Sequence, residues 1–152
     1  MQPRMPNVVT LFPGVLDGMR TLSKAADAAG VPEKTRMLIT LRASQINGCS
    51  YCVDLHSREM KEAGEPDERV FAVAAWRESP SFTDAERAAL ALAESVTRLS
   101  DRADPVPDDV WNEAARHYDQ RGLASLLLAI AVINVWNRLN VPTRQPATPK
   151  SH

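Results

Sequence analysis

The chain has 152 residues, of which 44% are hydrophobic and 24% charged, with a formal net charge of −1. That is one domain's worth of ordinary globular composition, long enough to bury a single sizeable core. Acidic and basic residues interleave along it, so electrostatics gives no case for a nucleic-acid or membrane-surface partner.

The start, MQPRMPNVVTLFPG, carries Pro3, Pro6 and Pro13 and no continuous apolar run, so no signal peptide is expected. The longest apolar stretch, Ala124 to Val135, is too short to span a bilayer and contains Asn134. The expected location is the cytoplasm, where thiols stay reduced. There, two cysteines in a C-x-x-C spacing are catalytic or metal-binding more often than a structural staple.

The eleven prolines fall between apolar patterns rather than within them, and Gly48 and Gly122 divide the two longest proline-free stretches. Between these marks the apolar period is close to 3.6, without runs of strict alternation, which makes the fold all-α. One domain over 1–152 is expected, with an N-terminal arm at 1–12 and a flexible tail at 142–152. Seven helices are predicted between them, at about 14–28, 33–46, 49–64, 67–78, 83–100, 108–120 and 123–140.

On the first helix, Asp17 and Arg20 read as solvated. On the fifth, Thr83 and Glu86 form a capping box, and Ala85, Ala89, Leu92, Val96 and Leu99 line one face. The last is apolar nearly all round from Leu126 to Ile133, which predicts the buried centre of a bundle. Asn134, Asn137 and Asn140 are polar where that pattern asks for apolar residues, so they cap backbone groups or line a cleft. Trp76, Trp111 and Trp136 read as packing residues of the core or of a subunit interface.

The third helix carries the chemistry, opening NGCSYCVDLHSREMKEAG. Asn47 and Gly48 break the preceding helix, so Cys49 falls at the N-cap or first turn, with Cys52 three residues on and His56 four more. Helical spacing stacks these side chains on one face, continued by Val53, Met60 and Ala63, while Asp54, Arg58, Lys61 and Glu62 lie opposite. Unpaired N–H groups and the helix dipole lower a thiol pKa from its free value of about 8.5. His56 can accept the Cys52 proton or pair with the thiolate. The two sulfurs are within disulfide reach, so one can resolve an oxidised form of the other. Burial acts the other way, raising a thiol pKa.

Three plainer readings compete. A zinc site on Cys49, Cys52 and His56 needs a fourth ligand from His117, His152 or an acid, and three ligands within one helix suit tetrahedral closure poorly. A structural disulfide across so short a loop adds little stability. Two inert core cysteines beside a satisfied histidine are the third reading. A c-type haem is excluded because Val53 follows Cys52.

The segment LRASQINGCSYCVDLHSREMKEAGE resembles the alkylhydroperoxidase D core of the carboxymuconolactone decarboxylase superfamily, whose mark is C-x-x-C-x-x-x-H at a helix N-terminus. WRESPSFTDAERAALALAESVT and INVWNRLNVPTR extend the likeness from about Arg36 to Val141. The resemblance implies an alkylhydroperoxidase D-like helical bundle, assembled as a homo-oligomer (a trimer or hexamer, or a dimer). It also implies a dithiol peroxidase that reduces a hydroperoxide and is recharged by an external dithiol, with no bound cofactor or metal. By the family's scheme Cys52 attacks peroxide, Cys49 resolves, and His56 relays the proton. The helix dipole alone favours Cys49, whereas the nearby base favours Cys52.

Two positions depart from the family pattern. Its glutamate twelve residues before the first cysteine is here Met37, which cannot relay a proton. The histidine some members carry before the second cysteine is here Tyr51, a possible proton conduit but a poor base near neutrality. Glu86 and Glu94, on one face of the fifth helix, are the available stand-ins, although capping already accounts for Glu86. Two other functions fit the same resemblance. One is a non-redox decarboxylase, for which vicinal thiols have no use. The other is a helical scaffold that senses oxidants or binds metal without turnover.

Overall fold

A computed structural model describes residues 2–101 and 103–147, and within them every regular element is helical. The order is α1 (Val8–Leu11), α2 (Pro13–Asp27), α3 (Glu33–Asn47), α4 (Ser50–Glu62) and α5 (Asp67–Ala72), which runs into a 3-10 turn (Val73–Ala75). Then come α6 (Asp84–Thr97), α7 (Asp108–His117) and α8 (Gln120–Thr143). The all-α bundle expected from the sequence is the one observed.

Prolines mark helix starts. Pro13 is the first residue of α2, where a missing N–H costs nothing, and Pro32, Pro66 and Pro107 are the N-caps of α3, α5 and α7. Side chains start the others: Asn7, Thr83 and Asp119 each accept a backbone N–H, and Thr83 and Glu86 form the reciprocal capping box.

Five local expectations need correction. Pro142 lies inside α8, in its last turn, where it forgoes one backbone hydrogen bond and the helix runs only one residue further. The predicted helix at 67–78 keeps α geometry only to Ala72 and then tightens. Leu99 falls beyond the end of α6 and is exposed, as is Ala63 at the end of α4. Finally, α8 exceeds its apolar run and is, by length and composition, long enough to cross a membrane, although 56% of that window is buried inside the bundle.

Residues of the expected arm meet the end of α8. The Arg4 N–H donates to the Thr143 carbonyl at 2.9 Å, the Arg4 guanidinium donates to Pro142, and Gln145 donates to the Met5 carbonyl. Of the expected tail, residues 148–152 lie outside the described residues, and His152 with them.

The core has two main parts joined through α3. Ile39 packs with Ala89, Leu92, Leu126 and Ile130 between α6 and α8. Leu38 and Leu41, on the other side of α3, pack with Met60, Val73, Trp76 and Leu90. So α3 shares the buried centre with α8, and its two buried faces leave it no amphipathic stripe. Trp76 is a core residue as expected, whereas Trp111 is 38% exposed on α7. A third, smaller cluster (Ala43, Cys49, Cys52 and Ile133) lies where the end of α3, the start of α4 and the last turns of α8 converge.

Candidate active site

The turn between α3 and α4 sets the cysteines. Gly48 ends α3 in the left-handed region, at φ 66°, which suits glycine because it has no Cβ. That geometry lets the Cys49 N–H reach back to the Ser44 carbonyl at 3.0 Å, closing α3. Cys49 then becomes the N-cap of α4, its sulfur accepting the Cys52 N–H at 3.3 Å. The two sulfurs are paired as a disulfide with their Cα atoms 5.3 Å apart, and both residues are only 2% exposed. The sequence-level expectation of an inward-facing pair at the helix start therefore corresponds to what is observed.

A seam of carboxamides locks this turn to α8. Asn134, Asn137 and Asn140, spaced three apart, all point inward and are buried. Asn47 at the end of α3 donates to Asn134 Oδ1 at 3.0 Å and to Asn137 Oδ1 at 2.8 Å. Asn137 donates to Ser44 Oγ, and Asn134 donates to Thr97 Oγ1. The last of the three turns to the chemistry: Asn140 Nδ2 lies 3.5 Å from Cys52 Sγ. Its N–H can donate to a thiolate. Polar residues at i, i+3 and i+6 on an otherwise apolar helix were the sequence signal for this seam, although the pattern did not reveal its partners.

His56 follows one turn after Cys52 and lines a cavity of about 230 Å³ bounded by α2, α3, α4 and α8. Met37 and Thr40 of α3, Glu59 of α4, and Ile133 and Trp136 of α8 share its wall. Ile133 belongs to the cysteine cluster and Trp136 packs on it, so these two residues are shared by the cavity wall and the packing around the sulfurs, although neither cysteine itself lines the cavity. Trp136 is therefore a wall residue, not only a packing one. Tyr51, half-buried, packs on the same cluster. His56 Nδ1 lies 2.7 Å from Glu59 Oε2. Sequence reasoning missed Glu59, although its i+3 spacing from His56 was available as a signal.

The suggested stand-in acids lie elsewhere. Glu94 is enclosed by Arg42 (2.6 Å), Arg77 (2.5 Å) and the Trp76 indole N–H (3.0 Å). Burial works to raise the Glu94 carboxyl. Hydrogen bonds from Trp76, Arg77 and Arg42, with the Arg42 charge, overcome it and hold the carboxyl below the ordinary carboxylate value. Glu86 caps α6 and pairs with Arg69 at 2.7 Å, and Arg69 also binds Glu65. Neither acid lines the cavity. His117 pairs with Glu113 along α7. Among the described residues, no group of three or more His, Cys, Asp or Glu side chains is placed to hold a metal ion.

Comparison with known proteins places this geometry in context. The model of the carboxymuconolactone decarboxylase family matches residues 13–95. The uncharacterized protein YdfG of Bacillus subtilis (strain 168) is 33% identical over 132 residues, 87% of this chain and 88% of its own length. YnjA of Escherichia coli (strain K12), also uncharacterized, is 34% identical over 112 residues, 74% of this chain and 60% of its own. Among solved structures, a protein of unknown function from Agrobacterium tumefaciens, described as a candidate antioxidant defence protein AhpD, matches with a TM-score of 0.90. It is 30% identical and covers 98% of this chain and 100% of its own. The debrominase Bmp8, solved with 2,3,4-tribromopyrrole, has the same fold: TM-score 0.81 at 23% identity, over 92% of this chain and 74% of its own.

Proposed function

The chain belongs to the carboxymuconolactone decarboxylase family, and from that premise we propose that it is a thiol-dependent peroxidase of the alkylhydroperoxidase D kind. The observation that carries this reading is the Cys49–Cys52 pair at the start of α4, one helical turn from a histidine that lines a cavity. A decarboxylase would have no use for the pair.

In the reduced protein Cys52 is the attacking thiolate. The N-terminus of α4 and the Asn140 amide favour its charge. It attacks the distal oxygen of a hydroperoxide, the O–O bond breaks, and the alkoxide leaves as an alcohol on taking the proton from His56. The Cys49 thiol then condenses with the Cys52 sulfenic acid, forming the disulfide and releasing water. An external dithiol reduces that disulfide, so two electrons pass from dithiol to peroxide in each cycle and no bound cofactor or metal is called for. Tyr51 is a minor candidate for passing a proton. The proposed setting is the cytoplasm, and the proposed assembly a trimer or hexamer, with a dimer as the smaller option.

The test is peroxide consumption by the reduced protein with dithiothreitol as reductant, beside Cys52→Ser. Wild-type turnover, loss of that turnover in the variant, and a Cys49–Cys52 disulfide mapped by mass spectrometry after peroxide are expected. A fully active Cys52→Ser protein would overturn the reading.

A further inference from the structure

A histidine that donates a proton at one ring nitrogen needs the other held, so that a single tautomer and a single ring orientation prevail. Resting on the peroxidase reading, we infer that Glu59 is the positioning residue for His56, holding Nδ1–H so that proton transfer falls to Nε2.

Three observations carry this. Glu59 Oε2 lies 2.7 Å from His56 Nδ1, a charge-assisted hydrogen-bond distance. Both side chains line a cavity that shares Ile133 and Trp136 with the cysteine cluster. The helix fixes the pair's geometry, because residues three apart are neighbours on its surface. The other charged groups at this cavity are Asp27 of α2 and Glu33 and Arg36 of α3. Arg36 is bound by Asp27 at 3.0 Å and also donates to the Val31 carbonyl. Met37, on the α3 wall of the same cavity, offers His56 no acceptor for a ring N–H.

The plain alternative is a helix-surface pair. Glu59 is 43% exposed and His56 18%, and a pair of that kind adds little to stability. Glu59→Gln should therefore leave the fold intact while altering the histidine, and that difference makes the inference testable.

The experiment follows dithiothreitol-driven turnover of tert-butyl hydroperoxide from pH 5.5 to 9 in wild type, Glu59→Gln, and Glu59→Gln with Met37→Glu. Glu59→Gln should lower kcat roughly tenfold with KM little changed, a fraction of what general acid catalysis supplies. Met37→Glu reinstates a carboxylate on the facing wall and should recover part of the loss. A Glu59→Gln enzyme with wild-type kcat would sink the inference. A second readout does not depend on turnover: ¹⁵N chemical shifts of the His56 ring in the reduced protein. A dominant Nδ1–H form in wild type that becomes mixed in Glu59→Gln supports the inference even if no peroxide is consumed, in which case only the peroxidase reading fails. An identical tautomer balance in the two proteins overturns it.

Discussion

Glu94 and Cys52 are both withdrawn from solvent, at 6% and 2% exposure, yet their surroundings differ in kind. Around Glu94, two arginines and an indole N–H meet the carboxylate at 3.0 Å or less, and Arg77 also stacks over the Trp76 ring at 4.3 Å. Around Cys52 there is one carboxamide at 3.5 Å, the helix start, and a partner sulfur. The first region is saturated: both carboxylate oxygens meet an arginine, and although Trp76 and Arg77 line a second cavity, Glu94 itself does not. The second is under-coordinated for a charge and lies behind a cavity wall. On the proposed reading, the buried polar group that meets substrate is the one whose charge balance is left open.

The contrast can be broken most sharply by exchanging losses. Cys52→Ser should abolish peroxide turnover while leaving the thermal midpoint nearly unchanged in the reduced state. Glu94→Gln should do the reverse. It leaves the Arg42 guanidinium, which is 15% exposed, with the Gln45 side chain at 3.3 Å in place of a carboxylate partner, at a cost of about 3 kcal/mol, read by urea denaturation, with the reduced thiols alkylated as fast as in wild type. If Glu94→Gln slowed turnover at unchanged stability, the two regions would not be separable.

A smaller effect sharpens the thiol side. Asn140→Leu removes the amide beside Cys52 Sγ. One net hydrogen bond is worth about 1 kcal/mol, so iodoacetamide should alkylate reduced Cys52 about fivefold more slowly near neutrality. An unchanged rate would assign the thiolate's stabilisation to the helix start alone.

The smallest effect between pH 7 and 5 is on the ionic side. Burial works to raise the Glu65 carboxyl too, but hydrogen bonds from Lys34 and Arg69 and their charges hold it below the ordinary value, as for Glu94. A carboxyl depressed in the folded state stabilises the fold above its unfolded pKa, and that contribution is lost as pH falls through the folded value. Urea midpoints should thus change little from pH 7 to 5 and fall steeply below about 4.3, the ordinary glutamate value. Glu94→Gln should flatten that fall, and an equally steep fall in the variant would assign it to other groups.

Most helices could be read from the chain because prolines and glycines mark their starts and ends. Pro142 misled because a proline was expected only outside helices, whereas α8 carries it in its final turn. The cysteine–histidine spacing was legible because an α-helix converts separations of three and four into one face. What escaped was long-range: Asn140 meets Cys52 across 88 residues and Arg42 meets Glu94 across 52, distances that no local period encodes. Glu59 escaped for another reason. Its spacing from His56 was local, but an acid on a helix surface is so ordinary that only the cavity beside it gives it meaning.

Trp136 has a consequence of a different sort. Its indole packs on the cluster that holds the two cysteines and also forms a wall of the cavity. Trp76 lies in another part of the core and Trp111 on the surface of α7. An indole so placed gives the proposed chemistry an optical readout: oxidation of the sulfurs or binding in the cavity is expected to change the Trp136 emission, over a constant background from Trp76 and Trp111.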